Sequence, residues 1–141
     1  MRNKIVIGVV AVVAVLVIAF LAGETISPRD LTRSALLETF VRIQLYARQS
    51  NSVPPSLDVL PRRAGYANRT TDGWQRPLHY ELSSNDILRL TSRGRDGQPG
   101  GQGDDADISM AFHARKPDGS LWITSEQWLV EAEIRDKNPG P

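Results

Sequence analysis

The sequence predicts an α+β fold, in which one long helix packs on a small antiparallel sheet and a short helix ends the chain. Apolar residues recur at helical spacing between residues 36 and 47, whereas strand-like segments separated by turn signals dominate residues 77–124. The chain has 141 residues, and single domains commonly contain about 100 to 200. We therefore expect one folded domain and no second independent core.

The charge and the cysteine content exclude several classes of function. The chain carries 17 Lys and Arg against 16 Asp and Glu, for a formal net charge of +1 at pH 7. Such a balance gives no general electrostatic attraction to nucleic acid, and we expect no nucleic-acid partner. The chain has no cysteine, which excludes a disulfide framework, a thiolate zinc site and a cysteine nucleophile.

The N-terminal segment, residues 5–23, reads IVIGVVAVVAVLVIAFLAG and contains no charged residue. A helix needs about 20 apolar residues to cross a bilayer. Because Arg2 and Lys4 precede the segment and Glu24 is the first charge after it, the positive-inside bias predicts a cytoplasmic N-terminus and a periplasmic or otherwise extracytoplasmic domain. We predict a cytoplasmic tip and a single-pass transmembrane helix over residues 1–23, placed in the inner membrane. The alternatives are a cleaved signal peptide and a buried core strand.

A long amphipathic helix is predicted to begin at Ser27, with Pro28 at its first position and Asp30 in its first turn. It should run to about Gln49 and bury one broad apolar face. The helix either continues the membrane helix or is separated from it by a flexible neck. The residues predicted to line its buried face are Leu36, Phe40, Ile43 and Ala47, with Leu37, Val41 and Leu45 alongside.

Turn signals divide the rest of the chain into short elements. The paired prolines of NSVPPS, residues 51–56, end the helix, and one short helical turn is expected over residues 56–60. The segments PLHYEL and ILRLTS around SSND predict one antiparallel hairpin, and ISMAFHA and SLWIT around KPDG predict a second. Thr124, with Gln127 three residues later, forms a capping-box pattern that predicts the short C-terminal helix.

The loop of residues 92–109, SRGRDGQPGGQGDDADIS, combines five glycines with four aspartates. If the residues after the glycines are extended, Asp105 and Asp107 project to the same side, and a loop that folds back brings Asp96 toward them. Clustered carboxylates repel one another unless a cation lies between them. Calcium accepts a flexible set of about six to eight oxygens, backbone carbonyls included. A calcium site is therefore one interpretation of this loop.

Two other interpretations of the loop remain open. In one, it is a solvated acidic loop in which Arg93 and Arg95 neutralise nearby aspartates. In the other, it cradles a phosphate group, but no Lys-Ser or Lys-Thr follows the glycines and the aspartates would repel the ligand. The residue pattern alone does not choose between the first two.

Residues that could carry catalysis are sparse. His79 and His113 are the only histidines, and each lies in a predicted strand without a neighbouring acid. No nucleophile-elbow pattern is present in the sequence. We expect no enzymatic activity and no small-molecule substrate. The alternative is a metal-dependent hydrolase that uses the aspartates around an ion.

Two stretches of the chain resemble one known family. Residues 72–80, DGWQRPLHY, resemble an Asp-x-Trp-Gly-x-Pro-x-x-Tyr turn, and residues 92–108 resemble a Ser-x-Gly-x-Asp-Gly loop that closes in Asp-Ala-Asp-Ile. Both belong to the major pseudopilin of type II secretion systems, the protein G family. With the preceding apolar segment, amphipathic helix and VPPSLDVLP, the resemblance extends over residues 1–110. It implies a pilin-like fold.

The same resemblance implies a function and a site. It implies a membrane-anchored structural component of a type II secretion or pilus-like system, whose partners are other pseudopilins or secretion-system proteins. Calcium would stabilise the exported domain, residues 24–110. The resemblance does not cover residues 111–141, which the turn and capping signals predict to form a C-terminal hairpin and helix extension. The implied ligands are the side chains of Asp96, Asp105 and Asp107 and the backbone oxygens of Arg93 and Gln102, with Asp104 as a possible substitute.

The N-terminus departs from the family pattern. Prepilins carry a short basic leader, a glycine at the cleavage position, then usually phenylalanine, and an acid early in the mature helix. Here Gly8 is followed by Val9, and no acidic residue precedes Glu24. The alternative function is therefore a non-polymerising, membrane-anchored binding module that retains the pseudopilin fold.

Overall fold

The structure, a computed structural model, describes residues 26–122 and 129–131. The predicted transmembrane segment, residues 5–23, lies outside these ranges. Within them, no helix is both long enough and apolar enough to cross a membrane. The regular elements are α1 (Pro28–Ser50), β1 (His79–Leu82), β2 (Ile87–Ser92), β3 (Ile108–His113) and β4 (Leu129–Glu131), with short 3-10 turns at Leu57–Val59 and Gly103–Asp105.

Helix α1 begins as its sequence predicts. The Ser27 side chain accepts a hydrogen bond from the backbone N–H of Asp30 at 3.1 Å, and proline occupies the first helical position. The same serine and Arg33 hydrogen-bond to the Asp30 carboxylate and lower its pKa. At the other end, Asn51 adopts a left-handed conformation with φ 50° and ends the helix.

One face of α1 packs on the sheet. The predicted core residues Leu36, Phe40, Ile43 and Ala47 are all buried. Leu37, predicted to join them, is 55% exposed, so that part of the prediction is wrong. The apolar residues of α1 span more of its circumference than the sheet covers, and Leu37 lies away from the face that packs toward β2 and β3.

The four strands form an antiparallel sheet in the order β1-β2-β3-β4. The hairpin predicted around SSND is confirmed, with His79 opposite Thr91 and Leu82 opposite Leu88. Alternate residues of β2 face α1, and Leu88 and Leu90 are almost fully buried. The core is therefore the interface between α1 and the central strands.

An edge-to-face pair of aromatic rings marks the centre of this core. The Phe40 ring of α1 and the Phe112 ring of β3 have centroids 4.4 Å apart and planes at 75°, the geometry that aromatic pairs prefer. The helix and the sheet are thus held in one defined register. This arrangement confirms the predicted α+β class.

The segment between α1 and β1 is held by two long-range anchors. Arg42 is buried on α1 and donates hydrogen bonds to the backbone carbonyls of Pro61, Asn68 and Leu60 at 2.9, 3.0 and 3.2 Å. The Tyr80 hydroxyl of β1 donates to the carbonyl of Pro54 at 2.6 Å. An irregular segment that includes the confirmed 3-10 turn is thereby fixed against both layers of the fold.

The predicted C-terminal helix is wrong where the structure describes it. Leu129–Glu131 is a strand, β4, which pairs with β3 in antiparallel register, Ala111 opposite Glu131. Local capping signals favoured a helix, but the open edge of β3 offers backbone partners that a local pattern cannot reveal. The remainder of that predicted helix lies outside the described residues.

The turn at KPDG is confirmed. The Lys116 N–H donates to the carbonyl of Ser120 at 2.7 Å, and the Gly119 N–H donates to the carbonyl of Lys116 at 2.9 Å. Arg115 and Leu121 form an isolated antiparallel bridge beside it. The domain boundary predicted between residues 110 and 111 falls inside strand β3, Ile108–His113.

Candidate metal loop

The candidate site is the loop of residues 93–107, which joins β2 to β3. Its five glycines all have positive φ, so the backbone turns repeatedly in a conformation that glycine adopts at little steric expense. At two of these glycines the chain also passes very close to itself. A Cβ atom would lie 2.6 Å from the carbonyl oxygen of Asp105 if added to Gly94, and 2.3 Å from it if added to Gly101. The loop therefore closes tightly around the Asp105 backbone.

The three predicted carboxylate ligands have different local partners. Arg95 binds Asp105 through both oxygens, with its Nε 2.9 Å from Oδ1 and its Nη2 3.2 Å from Oδ2. This hydrogen bond raises the pKa of Arg95. Asp96 accepts a hydrogen bond from the backbone N–H of Gln98 at 2.9 Å. These two carboxylates are thus held by other residues of the same loop.

Asp107 differs from the other two because half of its carboxylate has no partner. Its Oδ2 accepts a hydrogen bond from the Gly100 N–H at 3.0 Å. Its Oδ1 is buried and has no hydrogen-bond partner. A buried carboxylate oxygen without a donor is unfavourable. It is the oxygen in this loop that most clearly lacks a donor or a cation.

The predicted backbone ligands lie in tight turns of the same loop. The carbonyl of Arg93 accepts from the Gly97 N–H at 3.1 Å, and that of Gln102 accepts from the Asp105 N–H at 3.0 Å. The Asp104 side chain is exposed, whereas its carbonyl accepts from the Arg95 N–H at 2.8 Å. Each of these carbonyls has a second lone pair for a further donor or ion.

The donor set fits a hard cation in chemistry but is not gathered around one point. Carboxylate and carbonyl oxygens are the ligands that calcium prefers. Within residues 26–122 and 129–131, however, no three His, Cys, Asp or Glu side chains are grouped closely enough to hold a metal ion. The Arg95 guanidinium occupies the Asp105 carboxylate instead. The calcium ligands therefore remain a prediction. The ion pair between Arg95 and Asp105 is the kind of pairing expected for a solvated acidic loop.

Three anchors of the loop have no signal in its own sequence. Arg29, in the first turn of α1, donates to the carbonyl of Gly103, and Arg76 donates to the carbonyl of Arg95. The Arg29 contact joins residues 74 positions apart, so local spacing could not reveal it. The third anchor is Asp72, in the turn that precedes β1.

Asp72 is a buried carboxylate at the entry to the loop. It is 1% exposed, and its Oδ1 accepts hydrogen bonds at 2.9 Å from the backbone N–H groups of Trp74 and Arg76. Its Oδ2 accepts from the Ser92 hydroxyl at 2.6 Å, and the Ser92 oxygen in turn accepts from the Gly94 N–H at 3.3 Å. The turn before β1 and the start of the loop are thereby connected through one side chain.

These features define a class. A long helix on an antiparallel sheet, with a glycine-rich acidic loop between two central strands, is a pilin-like α+β domain. Residues 44–111 match the family model of the type II secretion system (T2SS), protein G. The predicted resemblance is thus confirmed from the last turns of α1 through the loop and into β3. Searches of curated proteins and of solved structures found no match.

Proposed function

We propose that this chain is a membrane-anchored, pseudopilin-like structural component of a type II secretion or pilus-like system, with calcium stabilising its exported domain. The observation that carries the proposal is the protein G match over residues 44–111. That range contains β1, β2, the first four residues of β3 and the complete acidic loop. The apolar segment of residues 5–23 supports the anchor.

The outer side of α1 supports a role in assembly. Leu37 on α1 is 55% exposed, whereas Val41, one turn later, is partly buried and packs against the core. The exposed leucine gives α1 an apolar surface that another subunit could cover. The alternative, a binding module that does not polymerise, would use the same surface for a single partner.

A cysteine crosslinking experiment separates these two functions. The natural chain has no cysteine, so Leu37→Cys in the full chain provides one reactive thiol. In membranes, a photocrosslinker attached to the thiol of Leu37→Cys should produce a ladder of adducts, because each copy then carries one group that can react with any neighbouring copy. The matched control is Glu81→Cys, on exposed β1, which should produce none. One heterologous adduct without a ladder would favour the binding module, and no adduct at position 37 would refute assembly through α1.

The calcium part of the proposal rests on the loop. The bound ion would supply positive charge to a loop that carries four aspartates. Asp107 would contribute its buried, unpartnered Oδ1. Asp96 is exposed and has one oxygen engaged by Gln98. Carbonyls of Arg93 and Gln102 would complete the oxygen set.

Thermal unfolding of the full chain in detergent tests calcium binding. Millimolar calcium should raise the Tm relative to chelator, and magnesium at the same concentration should raise it less because Mg²⁺ demands stricter octahedral geometry. Asp107→Asn should abolish the calcium effect. Asp118→Asn, in the turn at residues 116–120 outside the loop, is the matched control and should preserve it. Equal Tm values of the parent protein in calcium and chelator would refute calcium stabilisation.

A further inference from the structure

We infer that Arg95 is a tethered counter-ion of the acidic loop, and that it sets the calcium affinity of the loop by competing for the Asp105 carboxylate. The inference rests on the calcium site of the proposed function. It assigns a role to a residue that would not itself ligate the ion. Arg95 contacts Asp105, and this contact would have to break before Asp105 could ligate the ion.

The Arg95 side chain occupies the carboxylate that the ion would need. Both Asp105 oxygens accept from its guanidinium, at 2.9 and 3.2 Å. A guanidinium and a divalent cation are both positive, and they repel each other at one carboxylate. Arg95 must therefore leave Asp105 before that carboxylate can ligate an ion.

The pair is placed so that it can be exchanged. The Arg95 side chain is 61% exposed and that of Asp105 is 32% exposed, so solvent screens the interaction and can receive the released guanidinium. A buried ion pair would resist this exchange much more strongly. Exposure therefore makes Arg95 a displaceable partner.

The backbone of Arg95 is fixed on both sides, which leaves the side chain as the moving part. Its N–H donates to the carbonyl of Asp104 at 2.8 Å. Its carbonyl accepts a hydrogen bond from Arg76. Rotation about the side-chain bonds can release Asp105 without breaking either backbone contact. The loop can thus keep its outline while one cation replaces another.

The neighbouring carboxylate of Asp107 shows why replacing Arg95 with a divalent ion would stabilise the loop. Asp107 keeps Oδ1 buried without a hydrogen-bond partner, and its Oδ2 accepts from the Gly100 N–H. The Arg95 guanidinium carries one positive charge and hydrogen-bonds to the carboxylate of Asp105. A divalent ion carries twice that charge, so it could serve Asp107 as well as a released Asp105. Arg95 thus holds the ion-free loop together while leaving one acceptor unsatisfied.

The test compares Arg95→Gln with Arg62→Gln in the full chain in detergent. Each variant removes one positive charge, and only the first removes the contact with Asp105; Arg62 is exposed and lies outside the loop. Calcium titration by calorimetry should give a Kd about three- to tenfold lower for Arg95→Gln than for the parent. Arg62→Gln should change it by less than about twofold. Arg95→Lys, which keeps the charge but loses the two-pronged contact, should lie between parent and Arg95→Gln.

A second measurement examines the ion-free state. In chelator, Arg95→Gln should lower the Tm by about 2–5 °C, because the loop loses its internal counter-ion, and Arg62→Gln should lower it less. If the parent binds calcium but Arg95→Gln binds it no more tightly than Arg62→Gln, the role of Arg95 is refuted and the calcium site stands. If none of the proteins binds calcium, the proposed calcium site fails and the inference fails with it.

Discussion

Replacing Asp72 should destabilise the domain more than any other single carboxylate change outside the loop. Asp72→Ala removes the acceptor for two backbone N–H groups and for the Ser92 hydroxyl. A buried donor left without a partner costs about 1–3 kcal/mol. The Ser92 hydroxyl can rotate, and the two N–H groups are partly buried, so we expect a total loss of about 2–4 kcal/mol. This is a large share of the roughly 5–15 kcal/mol that stabilises a typical domain.

Asp72→Asn should be much milder, because its geometry preserves most of the contacts. The amide oxygen can accept from the N–H groups of Trp74 and Arg76, and the amide nitrogen can donate to the Ser92 oxygen. The substitution removes the negative charge of the acceptor, which should lower the free energy of unfolding by about 1 kcal/mol. The difference in free energy of unfolding between Asp72→Asn and Asp72→Ala therefore measures the contribution of the hydrogen-bond acceptors separately from that of the charge.

Urea unfolding of the full chain in detergent, followed by tryptophan fluorescence in chelator, measures both losses. Asp58→Ala, at an exposed aspartate in the turn Leu57–Val59, is the matched control and should change the free energy of unfolding by less than about 0.5 kcal/mol. If Asp72→Ala lies within that range of the parent, the proposed connection through Asp72 is wrong. If Asp72→Asn is as damaging as Asp72→Ala, charge rather than hydrogen-bond geometry is responsible.

Two further predictions concern the loop and the strand edge. Gly101→Ala should lower the Tm more than Gly100→Ala, since both have positive φ but only the first would place a Cβ 2.3 Å from the Asp105 carbonyl oxygen; equal losses, measured by circular dichroism, would exclude the close approach. Burial raises the pKa of Tyr80 to about 12, so the unfolded chain loses its phenolic proton first and stability should fall between about pH 10 and pH 12. We expect the free energy of unfolding to fall by roughly 1 kcal/mol, since the group is partly exposed, and we expect no such fall in Tyr80→Phe. Urea midpoints measured at pH 9 and pH 11.5 test this. A shift of the same size in both proteins would contradict the prediction.

Features governed by neighbours in sequence could be predicted from the chain. The start of α1 follows from Ser27 and its i+3 neighbour, and the SSND and KPDG turns follow from residues that favour turns wherever they occur. The apolar stripe of α1 also predicted the buried residues Leu36, Phe40, Ile43 and Ala47 correctly. In each case the determining interactions span at most a few residues, so the sequence pattern contains them.

Features governed by distant partners could not be predicted in the same way. The strand Leu129–Glu131 depends on the free edge of β3, and the exposure of Leu37 depends on how much of α1 the sheet covers. The pairing of Arg95 with Asp105 was one of two open interpretations, because spacing alone does not reveal whether a loop closes around an arginine or an ion. The composition of the loop indicated which charged groups it contains, and the folded conformation of the loop determined which of them pair.

The loop is connected to the first turn of α1, and this connection determines where loop stabilisation would be felt. Gly73 lies so close to α1 that an added Cβ would be 1.9 Å from the Pro28 carbonyl oxygen. The Gly73 N–H donates to the Thr32 hydroxyl at 2.9 Å, while Arg29 donates to the loop at Gly103. Ordering the loop, by Arg95 or by an ion, therefore also restrains the start of the helix. If calcium binds the loop as proposed, it should therefore also restrain the start of α1, which four residues separate from the predicted transmembrane segment, residues 5–23.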